Sequence, residues 1–163
     1  MPSRSPDPVT LEADARARWG SLEPAVWTGQ DSDGRRLDIA PGELLAPILR
    51  RVRLIAASDS LCEAVVAHLA AAGVDAEVDR VRANPRVHDD LTADGRGPVQ
   101  VMALRAGDKV VPLRPGGTTV TIWPPVEGTE LTGEPLAEIT VTADADRWVP
   151  AARIADALKP HLS

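Results

Sequence analysis

The sequence predicts an α+β fold, a two-layer sandwich in which a mixed or antiparallel sheet carries helices mainly on one face, preceded by an N-terminal arm. Three observations carry this. Short runs rich in Val, Thr and Ile recur through the second half of the chain between Gly- and Pro-containing turns, which is how strands and hairpins are punctuated. Several stretches place apolar residues at helical spacing with stop signals behind them. A hydrophobic fraction of 44% and a charged fraction of 26% over 163 residues are ordinary for one globular core. That core must be built from Ala, Val, Leu and Ile, because four Trp stand beside no Phe and no Tyr.

In chain order, residues 1–9 hold three Pro and two Ser and read as an extended arm. Thr10 is placed to cap a helix through Trp19, with Leu11, Ala15 and Trp19 on one stripe and Gly20 as the stop. Asp31-Ser32-Asp33-Gly34 is a turn signature between Val26-Trp27 and Leu37-Asp38-Ile39, which predicts a hairpin. Leu44, Leu45, Ile48 and Leu49 are helically spaced, but Pro47 argues for a start near Ala46. Val52 to Ala56 reads as a strand. Ser60 and Glu63 then form a capping box for a second helix with Leu61, Val65, Leu69 and Ala72 on one face and Gly73 at its end. Ala76 to Val81 supplies the next strand. This strand–helix–strand unit, closed by the phrase AAAGVDAEV, locally resembles ferredoxin-like, receiver-like and small signal-transducing domains, and the resemblance implies a ferredoxin-like or related sandwich over about thirty residues.

Beyond a charged, Gly-containing stretch over 84–98, strands are expected at Val99–Arg105, Val110–Arg114, Thr118–Trp123 and Leu136–Thr142, the first three as an antiparallel meander. A helix from about Pro150 to Leu158 buries Ala151, Ile154, Ala155 and Leu158 and stops at Pro160. The division that follows is an arm over 1–9, a helix, hairpin and short helix over 10–50 packed on the rest, and an α+β core domain over 51–163.

Charge and motifs exclude several classes of function. With 24 acids against 18 bases the net charge is −6, and nucleic acid is not the expected partner, because phosphate neutralisation needs a basic footprint. The single Cys62 cannot form an internal disulfide, and the N-terminus has no apolar leader, so a cytoplasmic setting is expected. The longest uncharged apolar stretch, Ala64 to Val74, falls short of the roughly 20 residues of a membrane span, and no membrane partner is expected. No phosphate loop, dinucleotide fingerprint, nucleophile elbow or zinc-helix motif is present, and no cofactor is expected.

The residues that could carry chemistry are few. Cys62 falls in the first turn of the expected capped helix, where the macrodipole favours a thiolate, but His68 is six positions away, about 600° around the helix, and points elsewhere. Cys62 therefore reads as small apolar filler. His88, Asp89 and Asp90, with Asp94 nearby, are the weak candidates for acid–base groups or metal ligands. They lack a spaced partner, so a solvated loop is the reading preferred and no metal is assigned. Asp31 to Gly34 resembles the opening of a calcium loop, but the twelfth position is Gly42 instead of Glu, which leaves a turn. Arg50, Arg51 and Arg53 form a basic cluster suited to terminal carbonyls and neighbouring acids.

What remains points to partners. Trp123-Pro124-Pro125 leads into a loop with Glu127, Glu130 and Glu134 and no base. Trp123 is either an interface anchor, with Arg4 of the arm reaching the acids of another subunit, or the closing residue of the core. The expected function is a non-enzymatic protein-interaction or assembly subunit that binds a protein partner or self-associates. Tail and connector subunits of phage-like particles resemble it in ending with a strand and an amphipathic helix. One alternative is a small hydrolase-type or metal-dependent enzyme using His88, Asp89 and Asp90. Another is a small-molecule sensing domain with its ligand near Ser58 and Ser60.

Overall fold

A computed structural model describes residues 7–20, 27–30, 32–39, 45–88, 99–126, 128–131 and 133–162. The chain is α+β, as its patterning predicts, with described strands that are all antiparallel.

Helix α1 runs Pro8–Gly20. It begins two residues before the expected Thr10 because Asp7 caps it: the Asp7 Oδ1 atom accepts from the Val9 N–H at 3.2 Å, the Asp7 carbonyl accepts from Leu11, and Pro8 takes the first helical position. The expected stripe is the one used, with Ala15 fully buried and Leu11 and Trp19 packed beside it. Strands β1 (Trp27–Gln30) and β2 (Arg36–Ile39) pair antiparallel, Trp27 opposite Ile39, around a turn in which Gly34 has φ 80°.

Helix α2 spans Leu45–Ala71 without a break. This replaces two expectations, a strand at Val52–Ala56 and a new helix capped at Ser60. A strand would put Val52 and Leu54 on one face; instead Val52 is 58% exposed and Leu54 only 4%, as two residues 200° apart on a helix must be. Short apolar runs are ambiguous between strand and buried helix, and here Leu54, Ala57, Leu61, Val65 and Leu69 complete one helical stripe. Pro47 lies in the first turn, where its missing N–H has no intrahelical partner to lose. The expected boundary between 50 and 51 thus falls inside a helix. Over Leu49–Ala71 the helix is long and apolar enough to cross a membrane by length and composition, and 44% of that apolar window is buried within the fold.

Gly73 ends α2 as predicted. With φ 82° it lets the Val74 N–H reach the Leu69 carbonyl at 2.9 Å and its own N–H reach Ala70 at 3.0 Å, and Val74 packs into the same cluster as Leu69.

Strands β3 (Glu77–Arg82), β4 (Gln100–Ala106) and β5 (Lys109–Pro112) form one sheet in that order. Strands β6 (Thr119–Ile122) and β7 (Ala137–Thr140) form another, and Val110 and Trp123 bridge the two through reciprocal bonds of 3.0 and 2.8 Å. The expected meander is therefore continuous only through that bridge. The ferredoxin-like strand–helix–strand unit is absent over 51–81, where a helix leads into a single strand.

Helix α3 (Ala151–Leu162) buries the predicted face, but Pro160 lies inside it instead of stopping it. The bond Pro160 forgoes belongs to the carbonyl of Asp156, an exposed residue that water can serve. Glu12 of α1 fixes the start of α3: one carboxylate oxygen accepts from both the Trp148 indole N–H at 3.1 Å and the Ala151 N–H at 3.0 Å. Trp19 and Trp148 meet at 5.4 Å, tilted by 56°.

Candidate functional site

Trp123 is a core residue, 1% exposed, and cannot anchor a partner in this conformation. Its backbone is the bridge to Val110, its ring packs with Val81, Val101 and Leu131, and its indole N–H donates to Thr121 Oγ1 at 2.8 Å. Beside it Pro124 is half-buried and Pro125 exposed. The acids after it do not await a base from elsewhere. Arg82 at the end of β3 pairs with Glu130, and Arg86 in the following turn pairs with Glu134 and Glu138. The loop has no base in sequence, but the fold brings two beside it. Glu127 and Arg4, and with them the arm-to-loop pairing, lie outside the described residues.

His88 is 3% exposed, and its Nδ1 accepts from the Asn84 backbone N–H at 3.1 Å while the His88 backbone N–H donates to the Asn84 carbonyl at 2.6 Å. One of the two ring nitrogens, Nδ1, is thus engaged by the turn over Asn84 to His88. Asp89, Asp90 and Asp94 lie outside the described residues, among which no group of three His, Cys, Asp or Glu is placed to hold a metal.

Cys62 lies mid-helix, not in a first turn, so the macrodipole gives it nothing. It is buried, its thiol donates to the Met102 carbonyl at 3.3 Å, and burial pushes its pKa well above the usual range. Ser58 donates to the Leu113 carbonyl at 3.2 Å and Ser60 to Asp14 Oδ2 at 3.0 Å, which occupies the hydroxyls expected to meet a small ligand. Arg50, Arg51 and Arg53 ride on α2 and not at a helix-to-strand junction.

The candidate site is a surface that none of these residues marks. The start of α1, the C-terminal half of α2 and β3 enclose a groove of about 710 Å³. Its floor is Leu11 from α1, Val66, Ala67 and Ala70 from α2, and Ala76 and Val78 at β3. Its charged lining among the described residues is acidic, Asp7, Glu63 and Glu77, of which Glu77 also pairs with Arg105. The geometry follows from two periodicities. Positions 66, 67 and 70 share a helix face turned away from the core stripe of 61, 65 and 69, and positions 76 and 78 share a strand face.

The groove also meets an open edge. Strand β3 pairs with β4 alone among the described strands, and the Ala83 N–H points inward to Val99 while the Arg82 N–H points outward to Thr129. By alternation the Val78 backbone groups face outward too, and the side chain is 40% exposed. The sequence did hold a signal for this: the helix is apolar on nearly every side from Ala64 to Ala72, more than one buried stripe requires. Its described lining offers apolar area, three carboxylates and, at Val78, outward-facing strand backbone. Comparisons with protein-family models, with curated proteins and with solved structures return no match.

Proposed function

We propose that this chain is a non-enzymatic interaction subunit that docks a segment of a protein partner in the groove between α1, α2 and β3. The partner segment is apolar on one side and flanked by Lys or Arg. The observation that supports this is an apolar floor whose charged lining among the described residues is acidic, beside a strand edge at Val78 able to pair with added backbone. A second copy of the same chain fits less well, since two acidic rims would face each other across a two-fold interface. Exposed charge pairs add well under about 1 kcal/mol each, so the apolar floor carries affinity and the rim sets orientation.

The test is to titrate designed amphipathic peptides, sharing one apolar face and differing only in Lys or Glu flanks, into isotope-labelled protein followed by NMR. Lys-flanked peptides should shift the amides of Ala67, Ala70 and Val78, and the exposed substitution Ala70→Glu should weaken binding by about tenfold, or 1.4 kcal/mol. Equal binding of both peptide sets, or shifts confined to another face, would refute the proposal.

A further inference from the structure

We infer, resting on the docking role proposed above, that the partner segment binds as an added β-strand, antiparallel to β3 and centred on Val78, in which apolar residues alternate with Lys or Arg. The ladder of β3 determines where such a strand can attach. The Ala83 N–H donates inward to the Val99 carbonyl at 2.7 Å, so residues 77, 79 and 81 bond to β4 while 78, 80 and 82 turn their backbone groups to the open edge. These outward groups are not equivalent. The Arg82 N–H donates to the Thr129 carbonyl at 2.7 Å, and the Arg80 N–H donates to Asp79 Oδ1 at 2.8 Å. Within β3 that leaves the Val78 N–H as the donor facing the groove, beside its own carbonyl.

Direction follows from the same bonds. In an antiparallel ladder one partner residue exchanges both of its bonds with Val78. In a parallel ladder it would bridge the Val78 carbonyl and the Arg80 N–H, and Asp79 already holds the latter.

The two faces of β3 set the sequence pattern. Arg80 reaches Asp59 on α2 at 3.5 Å, so Val78, two positions away, shares the face turned to α2 and lines the groove with Val66, Ala67 and Ala70. Glu77 and Asp79 lie on the opposite face, where both meet Arg105. The residue paired with Val78 therefore rests its side chain on the apolar floor, and its two neighbours come beside Glu77 and Asp79. A small β-branched residue suits the first place, and Lys or Arg the other two. The same geometry disfavours a second copy. Pairing β3 with itself about Val78 would set Glu77 of each chain opposite Asp79 of the other, and like charges directly opposite are destabilising.

Backbone methylation separates this arrangement from its rivals. A short peptide of alternating Val and Lys is prepared in three forms: unmodified, N-methylated at every Val, and N-methylated at every Lys. In the antiparallel strand the Val N–H groups point at β3 and the Lys N–H groups point away from it. Titration followed by NMR should show binding weakened by about tenfold or more on methylation at Val and changed by less than about twofold on methylation at Lys. The unmodified peptide should also slow hydrogen exchange of the Val78 amide. Loss on methylation at Lys and not at Val would mean a parallel strand. Indifference to both, or an unprotected Val78 amide, would mean a segment held by its side chains alone, and a dimer of the protein that the peptide dissociates would put a second copy on the edge. Each of these overturns the inference. Shifts at Ala67 and Ala70 alongside them would leave the docking groove standing, whereas an unmodified peptide that shifts neither removes the groove reading and this one together.

Discussion

Gly116 is the position where a single methyl group should do most damage. Its φ of 74° lies in the left-handed region, and a Cβ built there would stand 2.7 Å from Trp19 Cζ2 and 3.0 Å from Cε2. Gly73 is the natural control, with φ 82° and nothing within 4 Å of the same Cβ. An L-residue in this region costs about 1–2 kcal/mol, and the unfolded-state entropy lost with glycine offsets about 0.5–1 of that. Gly73→Ala should therefore destabilise by about 0.5–1 kcal/mol. At Gly116 the indole must also retreat by nearly an ångström to reach ordinary carbon contact, and overpacking of this kind costs about 1–3 kcal/mol. The total for Gly116→Ala is about 1.5–4 kcal/mol, or a melting temperature lowered by roughly 3–16 °C in a chain of this size. Trp19 cannot move freely, because it is packed on Trp148 and bears on both buried clusters. Urea unfolding of both alanine variants, repeated in a Trp19→Leu background, isolates the contact. Without the indole, Gly116→Ala should cost no more than Gly73→Ala. Equal costs in the wild-type background, or an excess that survives removal of the ring, would refute the reasoning.

Two further outcomes are expected. Cys62 should resist a thiol-reactive dye in the native protein and react in step with urea unfolding, since burial raises its pKa and its thiol faces the Met102 carbonyl; fast native labelling would contradict this. Asp146 has its pKa lowered below 3.8, first by the hydrogen bond from Arg16 and also by the Trp148 N–H. A depressed folded value means that its contribution is present above the unfolded value and is lost as pH falls through 3.8 towards the folded one. The urea midpoints of wild type and Asp146→Asn should thus differ at neutral pH and converge in acid, and parallel curves from neutral pH to pH 3 would exclude the pairing as a source of acid sensitivity.

Local pattern determined much of this protein on its own. The stripe of Leu11, Ala15 and Trp19, the hairpin around Gly34, the end of α2 at Gly73 and the buried face of α3 are all readable because each depends on residues a few positions apart. What failed was whatever depended on residues distant in the chain. The run at 52–56 has the same composition whether it is a strand or one turn of a long helix, and only the side chains around Leu54 decide between them. Trp123 could be judged core or interface only once Val110 and Thr121 were beside it. Glu130 and Glu134 looked unpaired because Arg82 and Arg86 lie 48 positions away. The groove is likewise a product of packing: its lining comes from α1, α2 and β3, and burial, pairing and convergence are properties of position in space that periodicity along one segment does not encode.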